Sequence, residues 1–258
     1  MVLDPSHQTT GRAAATLVSL VLLLAVWAGA AALAGDEVLF PSPWRVGGII
    51  WAEAASGALP LHLLATLARV VAAFVVAMAI GCALGLWMGR RPGANLWGDP
   101  WLVAFLNLPA LVTIVLCYLW IGLNEVAAIA AVAINKIPMV AVMMREGARA
   151  LDPSLDDMAR VYRMTSGARL IHVTAPQLAP YFAAAGRAGV ALIWKIVLVV
   201  EFLGRSDGVG FQIHLYFQLF EVGHVLAYAL SFIAVMLTIE YLLLQPWERR
   251  ASRWRHAG

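Results

Sequence analysis

The chain is poor in charged residues, in lysine and in cysteine, and each shortage excludes a class of protein. Only 13% of its 258 residues are charged and 62% are hydrophobic, which excludes an ordinary water-soluble domain. The only lysines are Lys136 and Lys195, so arginines carry nearly all of the positive charge. The only cysteines, Cys82 and Cys117, lie in apolar runs without a Cys-x-x-Cys or Cys/His pattern, so no disulfide framework or zinc site is expected.

A metalloprotease motif and a nucleotide-binding motif are also missing. The chain has no His-Glu-x-x-His, and neither lysine completes the glycine-rich loop that cradles ATP phosphates. We therefore predict that the chain is not an enzyme and binds no cofactor, and that any ATP used is bound by another chain. No soluble domain supports nucleic-acid binding by the basic C-terminal tail, which suits a membrane surface instead.

Long apolar runs dominate what is present. A helix needs about 20 apolar residues to cross a bilayer. Six runs reach this length, near Ala13–Ala34, Leu67–Met88, Leu96–Trp120, Val126–Met144, Leu178–Val200 and Val222–Leu244. The first run exceeds the ~7–15 residues of a secretory signal core, so we count it as a span. The predicted fold class is all-α, a polytopic membrane protein with about six transmembrane helices.

Arginines are distributed unevenly between the two sides of these spans. Lysine and arginine near span ends are retained on the cytoplasmic side. With the N-terminus inside, the outer loops hold only Arg45 and Arg205. The cytoplasmic segments then hold Arg12, Arg90, Arg91, Arg145, Arg149, Arg160, Arg163, Arg169, Arg249, Arg250, Arg253 and Arg255. Both termini are therefore predicted to be cytoplasmic.

The chain divides into two predicted regions. Residues 1–66 contain the first span and, on the outer side, a short helix whose Trp44 and Trp51 suit the depth of lipid headgroups. Residues 67–258 form the core, which includes a cytoplasmic loop near residues 145–176. This loop is the most polar internal segment of the chain.

The loop contains the signature of an amphipathic helix. Asp152 is a good N-cap and Pro153 suits the first helical position. Its apolar positions recur at helical spacing and form one stripe: Leu155, Met158, Ala159 and Tyr162. Residues 165–167 end this helix, and Ser166 is expected to cap a second short helix before Pro176. An ordered loop of this kind predicts contact with a soluble partner.

The second span carries small residues at strict four-residue spacing, namely Ala73, Ala77, Gly81, Gly85 and Gly89. All five lie on one helix face. Membrane helices associate through such faces because lipid gives no hydrophobic drive between helices. This face is predicted to pack against another helix, within the chain or in a second subunit, and a channel-forming role is the less favoured interpretation.

Ionisable residues at membrane depth are costly and are functional candidates by default. They are Lys136, Lys195, Glu201 and Glu240. Each lysine is expected either to face a water-filled path or a substrate anion, or to form a structural ion pair with an acidic neighbour. The sequence favours neither alternative. Asn107 and Pro109 interrupt another span, and such breaks are tolerated only beside protein or a cavity. We therefore predict that this region lines the pathway.

The last outer segment offers one possible metal pattern. Glu221 and His224 are three residues apart and His214 is nearby. A single Glu-x-x-His lacks the ligand number of a convincing site. We predict no metal site and interpret these residues as interfacial polar groups, in a segment suited to gating.

As a whole the chain resembles the permease subunits of bacterial binding-protein-dependent ABC importers, above all the nitrate, sulfonate and taurine branch. Residues 157–180 resemble the cytoplasmic coupling motif of that family, with Asp157, Ala159 and Pro176 at the acidic, second-alanine and proline places. Met158 stands at the first-alanine place and Arg163 at the glycine place. The LFPSP turn at residues 39–43 and the GVGFQI stretch at residues 208–213 are also similar.

The resemblance implies a type I importer permease fold in the bacterial inner membrane. Two copies would form the substrate pathway, a cytoplasmic ABC ATPase dimer would use ATP and Mg²⁺, and a periplasmic binding protein would deliver substrate. The implied ATPase-coupling residues are Asp157, Met158, Ala159, Tyr162, Arg163, Gly167 and Pro176. The candidate pathway residues are Asn107, Lys136, Lys195 and Glu201, and the two lysines would suit a small anion such as a sulfonate, taurine or nitrate.

Other functions stay open at this point. A stand-alone secondary transporter or channel would use Lys136, Lys195 and Glu240 as a charge relay, but the ordered loop and the lack of an internal repeat argue against it. A membrane enzyme lacks a nucleophile and base at recognisable spacing. Vitamin precursors and aromatic sulfonates or carboxylates remain alternative substrates.

Overall fold

The computed structural model describes residues 5–244 and residue 246, and every regular element in that part is a helix. The α-helices are α1 (Pro5–Ala34), α2 (Pro43–Ala55), α3 (Ala58–Arg90), α4 (Pro92–Leu106), α5 (Ala110–Ile121), α6 (Glu125–Arg149), α7 (Pro153–Val161), α8 (Ser166–Arg169), α9 (Ala175–Gly204), α10 (Val209–Gln218) and α11 (Val222–Ile239). Two π-helical turns, Leu170–Thr174 and Glu240–Leu244, follow α8 and α11. The predicted basic tail with Arg249, Arg250, Arg253 and Arg255 lies outside the described residues.

Four helices in the described part are long and apolar enough to cross a bilayer. They are Ala58–Arg90, Glu125–Arg149, Ser166–Gly204 and Val222–Leu242. A fifth span exists only if α4 and α5 count together, and the first predicted span contributes a shorter apolar stretch, Val18–Ala34. Each of the six predicted runs therefore falls on a helix or a helix pair, and the multi-pass all-α fold is confirmed.

The predicted span Leu96–Trp120 is not one straight helix. It is broken at residues 107–109, and α4 and α5 meet there at 96°. Asn107 caps the end of α4, and its side-chain amide donates to the carbonyl of Val103 at 2.8 Å. Pro109 then disfavours helical geometry at the preceding residue. The predicted break is present, and it produces a sharp bend.

Residues up to Pro60 and Gln212–Ser231 form one compact unit. The predicted short helix after the residue 39–43 turn is α2, which Ser42 caps by accepting from the Arg45 backbone N–H. The Trp27 indole donates to the Pro41 carbonyl at 3.1 Å, which ties α1 to this turn. Tyr228 donates to Glu53 at 2.6 Å and ties α11 to α2.

The second unit comprises Leu61–Phe211 and, after α11 enters it at Phe232, the remaining described residues to 244. Its core lies where α5, α6 and α9 meet, and its most buried members include Ile114, Ala128, Val132, Ile193 and Val197. Alanine is frequent on the buried face of α6. Small side chains let membrane helices approach closely, and the gain in van der Waals packing stabilises the pair.

The chain after α7 departs from the prediction in two ways. Thr165, and not Ser166, is the N-cap, because its side chain accepts from the Ala168 N–H. The expected second short helix does not end before Pro176 but continues through the π turn into α9, as one helix from Ser166 to Gly204. Pro176 is the second residue of α9 and Pro180 lies further inside it, so both prolines are within the continuous helix, where each lacks an N–H donor.

Candidate functional site

Helix α7 displays an apolar surface, part of which no described residue covers. Asp152 caps the helix by accepting from the Ser154 N–H at 2.8 Å, as predicted. Ala159 is buried, whereas Val161 and Tyr162 are 80% and 76% exposed. Leu155 and Met158 are also exposed. The predicted stripe is therefore split between an inward anchor and an outward apolar face, which we call the α7 face (Leu155, Met158, Val161 and Tyr162).

The acidic residues of α7 have separate roles. Hydrogen bonds from the Ser154 side chain and then its backbone hold the pKa of Asp152 below its ordinary value. The cap is therefore stabilising at neutral pH, and that stability is lost as the pH falls through the lowered pKa. Asp156 forms an ion pair with Arg169, which joins α7 to α8. Asp157 is largely exposed and meets only Arg160, at 3.6 Å, among the described residues.

Arg163 occupies a backbone conformation that favours glycine. Its φ is +49°, in the left-handed region. Its N–H donates to the Arg160 carbonyl at 2.9 Å, and the Met164 N–H donates to the Ala159 carbonyl at 2.9 Å. These two bonds form a Schellman C-cap with Arg163 at C′, the position at which helices usually carry glycine. The glycine place of the family motif therefore has a physical basis, and this chain meets the same geometry with arginine.

Two more predicted coupling residues lie beyond this cap. A Cβ atom added to Gly167 would meet nothing within 4 Å, so packing does not require glycine there. Pro176 lies more than one turn into the continuous helix from Ser166 to Gly204. Their functional roles stay predictions.

The two lysines at membrane depth have different surroundings. Lys136, the twelfth residue of α6, is only 9% exposed and has no hydrogen-bond or ion-pair partner in the part of the chain that the structure describes. Lys195 is exposed on α9, and its Nζ lies 5.4 Å from the centroid of the Trp194 ring. Among the described residues neither lysine forms the alternative structural ion pair.

Glu201 is held in a closed polar network, which makes direct contact with substrate unfavourable. It is fully buried, and its Oε1 accepts from Arg69 Nη1 at 2.7 Å. Its Oε2 accepts from the Thr66 hydroxyl and from the Gly210 N–H, each at 2.9 Å. Both carboxylate oxygens are therefore satisfied within the protein, as a buried charge requires.

Arg69, which the sequence analysis missed, is the centre of that network. Its side chain is 6% exposed and also binds Glu125, with contacts of 2.6 and 2.9 Å, and Asp207. Arg205 reaches the same Glu125 at 2.7 Å. Arg69 lies inside the apolar run of α3, as Glu201 lies inside the run of α9. A charge in either run indicates the need for an oppositely charged partner, and the two residues are partners of one another.

The glycines of residues 208–210 allow this segment to close over the network. Gly208 has a φ of +103°, and a Cβ there would lie 2.4 Å from Glu201 Cδ. A Cβ on Gly210 would lie 2.2 Å from the Leu198 carbonyl oxygen. The GVGFQI stretch therefore has a structural requirement for glycine, because any larger residue displaces Glu201 or α9.

Glu240 also has a basic partner that the sequence analysis missed. Arg187 Nε lies 3.3 Å from Glu240 Oε1. The pair joins α9 to the π turn that follows α11. Glu240 is thus part of an ion pair and is a weak candidate for a mobile charge relay.

The predicted glycine seam on α3 packs within the chain. A Cβ on Gly81 would lie 2.6 Å from Val140 Cβ, one on Gly85 would lie 2.4 Å from the Ala141 carbonyl oxygen, and one on Gly89 would lie 2.6 Å from Ala148 Cβ. All three neighbours belong to α6. The seam therefore brings α3 and α6 to close approach along a little more than two turns of α3.

The remaining candidates lie apart from these groups. Asn107 is exposed at the bend between α4 and α5. His224 Nδ1 lies 3.5 Å from Glu221 Oε2, and His214 contacts Gln218 instead. No group of three or more potential metal ligands occurs among the described residues.

Comparison with known proteins defines the class to which this fold and loop belong. Residues 77–247, more than half of the chain, match the family model of the binding-protein-dependent transport system inner membrane component. The chain belongs to this family. It is therefore a multi-pass membrane component of an ABC importer.

Individual relatives agree with this assignment. The putative aliphatic sulfonates transport permease protein SsuC of Escherichia coli (strain K12) is 29% identical over 240 residues, which are 91% of this chain and 89% of the relative. The riboflavin transport system permease protein RibX of Chloroflexus aurantiacus is 28% identical, with coverage of 92% and 88%. A chain of the inward-facing MetNI methionine ABC transporter superposes with a TM-score of 0.62 at 16% identity, over 74% of this chain and 94% of that one, which shows a shared fold.

Proposed function

We propose that this chain is a permease subunit that imports a small organic or inorganic anion, and that a separate cytoplasmic ABC ATPase drives it. A second copy of the chain would complete the pathway, and a periplasmic binding protein would deliver the substrate. ATP and Mg²⁺ would be bound by the ATPase and not by this chain. The proposed location is the bacterial inner membrane, with both termini cytoplasmic.

The α7 face is the observation that carries the proposal. It places exposed apolar side chains, including Val161 and Tyr162, on a short and well-capped helix in a polar loop. An apolar helix face of this kind suits a hydrophobic groove in a partner. The Asp156–Arg169 pair and the buried Ala159 fix the helix to the membrane core, so motion of a docked partner would be transmitted to α9.

The test compares ATP hydrolysis with uptake in the reconstituted complex. Asp157→Ala removes an exposed carboxylate whose one described contact is at 3.6 Å, so the fold should be retained. We expect hydrolysis to continue while ATP-driven uptake falls by at least tenfold. Pro176→Ala is expected to act in the same direction. Glu146→Ala, which changes another exposed carboxylate outside α7, is the matched control and should leave both rates unchanged.

Two other results contradict the coupling role of the loop. If Asp157→Ala prevents membrane insertion, the loop is a folding element. If uptake and hydrolysis both keep their normal rates, Asp157 has no part in coupling. Normal uptake without any ATPase would instead favour the stand-alone transporter or channel.

The anion part of the proposal is supported by Lys195. It lies nine residues before the end of α9, about 13 Å along the axis, and so near the middle of a hydrocarbon core about 30 Å thick. A charged lysine facing lipid at that depth costs about 3 kcal/mol. We infer that this face of α9 lines the pathway, where an anionic substrate or water meets the ammonium group. Lys136 is a second cation at mid-span, but it is buried within this chain.

Relatives of differing substrate fit a scaffold that accepts several small molecules. SsuC is named for aliphatic sulfonates, whereas RibX is named for riboflavin. We expect Lys195→Met to reduce uptake of a sulfonate such as taurine by at least tenfold, and Lys195→Arg to retain most of it. Unchanged uptake in Lys195→Met would contradict contact with the substrate.

A further inference from the structure

We infer that a cavity at the end of α3 binds the phosphate group of an anionic phospholipid. This phosphate cavity is lined by Arg90, Ser166, Arg169, Leu170 and Thr174, and its volume is about 320 Å³. Two guanidinium groups and two hydroxyls are donors that phosphate oxygens accept, and arginine can engage phosphate with two parallel hydrogen bonds. No carboxylate is among these lining residues.

The positive charge of the cavity is only partly neutralised. Arg169 is paired with Asp156 of α7. Arg90 is exposed, and it forms no hydrogen bond or ion pair with the side chains that the structure describes. An anion in the cavity would therefore give Arg90 a partner that the protein itself does not supply.

The position of the cavity selects a lipid over a free anion. Arg90 is the last residue of α3, whose apolar window has a mean hydropathy of 2.4, so it marks the boundary of a membrane span. Leu170, which lines the cavity, and Ile171, which follows it in the chain, are exposed and apolar. A phospholipid would place its phosphate at the arginines and its acyl chains against these residues. A free phosphate ion would leave that apolar rim uncovered.

Headgroup binding also has a consequence for the loop. The guanidinium of Arg169 serves both the phosphate cavity and Asp156 of α7. An anionic lipid would therefore compete for, or fix, the side chain that holds α7 to α8. This consequence rests on the proposed coupling function, whereas the binding of lipid does not.

The experiment measures lipid binding by the purified full chain without its partners. Phosphatidylglycerol, phosphatidylcholine and inorganic phosphate are titrated separately in neutral detergent micelles, and bound lipid is counted by native mass spectrometry. We expect phosphatidylglycerol to bind more tightly than phosphatidylcholine. Arg90→Gln should weaken phosphatidylglycerol by about fivefold, the effect of removing one arginine near a membrane surface.

Arg91→Gln is the matched control. Arg91 is adjacent and exposed, carries the same charge and does not line the cavity. It should leave binding unchanged, and Arg169→Lys should retain more binding than Arg169→Gln. Equal binding of the two lipids, or equal losses in Arg90→Gln and Arg91→Gln, overturns the site. Displacement of phosphatidylglycerol by millimolar inorganic phosphate would identify a free-anion site and overturn the lipid assignment.

Discussion

At the scale of single residues, the charges inside the membrane fall into two groups. Arg69 and Glu201 are paired with each other and hydrogen-bonded to their neighbours, so their charges are saturated. Lys136 and Lys195 have no ionic partner in the described chain. A saturated buried charge holds helices in register. An unsaturated one needs water, substrate or a second subunit, because lipid does not solvate it.

Glu201→Ala tests the structural role of the saturated group. It leaves Arg69 with one carboxylate fewer and the Gly210 N–H without its acceptor. Breaking one side of a buried pair costs about 3–5 kcal/mol. We expect a much lower Tm in detergent and little monodisperse protein, with a smaller loss for Glu201→Gln, whose amide oxygen can still accept one hydrogen bond.

Glu146→Ala provides the matched control. Glu146 is half exposed and pairs with Arg145 and Arg149 at 3.0 and 3.3 Å. Exposed pairs contribute about 0–1 kcal/mol, so its Tm should stay near that of the wild type. A Glu201→Ala protein as stable as Glu146→Ala would contradict the structural role of the Arg69 network.

Arg163→Gly tests the C-cap of α7. The left-handed conformation costs a non-glycine residue about 1–2 kcal/mol, and glycine recovers part of this while losing more entropy on folding. We expect a net local gain of up to about 1 kcal/mol. The measurement is hydrogen exchange at the backbone amides of residues 155–164, which should be slower because a more stable cap makes local opening of α7 less frequent.

Arg160→Gly is the internal control for that experiment. Arg160 lies within α7, where glycine costs about 1 kcal/mol. Glycine should therefore speed hydrogen exchange in residues 155–164 when it replaces Arg160 and slow this exchange when it replaces Arg163. Faster exchange in both variants would show that Arg163 makes a contact that outweighs its backbone strain.

Residue identity predicted part of this site. The Asp152 cap and the apolar stripe of α7 follow from local sequence alone, whereas the unusual place of Arg163 follows from the resemblance to the family motif. The partners of Glu201 do not, because Arg69 is 132 residues away and only the packing of α3 against α9 brings the two together. Arg69 and Arg187 were missed although each lies in an apolar run, where the cost of an unpaired charge already demands a partner.

At the scale of elements, the close contact of α3 with α6 depends on the absence of side chains. Gly85→Ala adds a Cβ 2.4 Å from a backbone oxygen of α6, which only movement of a helix can relieve. Overpacking of this kind costs about 1–3 kcal/mol. We expect a lower Tm, and we expect Gly85→Leu to prevent assembly of a monodisperse protein.

Gly29→Ala is the control for the seam. Gly29 is also inside an apolar helix, but a Cβ there would meet nothing within 4 Å. Its Tm should be unchanged or slightly higher, because alanine favours helix over glycine. Equal behaviour of Gly29→Ala and Gly85→Ala would show that α3 and α6 do not pack through this face.

Helix positions were predictable from apolar length, whereas breaks and joins were predictable only in part. The interruption at residues 107–109 follows from Asn107 and Pro109, but its 96° angle depends on how α5 and α6 pack. The join of α8 to α9 through a π turn was missed, because Pro176 signals a boundary in sequence and lies in a helix turn in the structure.

At the scale of the whole molecule, the sequence predicted the class and the multi-pass fold because family motifs and apolar runs are local features. Assembly is not local. The α7 face exposes apolar side chains, and Lys195 exposes a charge at mid-membrane depth. Both are stable only in contact with other chains, water or substrate, which the sequence of one chain does not specify. The orientation of the termini likewise stays a prediction from the arginine distribution.

We propose that this chain works with a separate ATPase through α7, and copurification tests this directly. The tagged chain is purified by affinity from its native membrane in mild detergent, and the proteins that copurify are identified. We expect a P-loop ATPase to copurify with the wild type and with Arg91→Gln and to be lost from Tyr162→Ala. A stable, ATPase-free oligomer would contradict this coupling role and would favour a channel or secondary transporter.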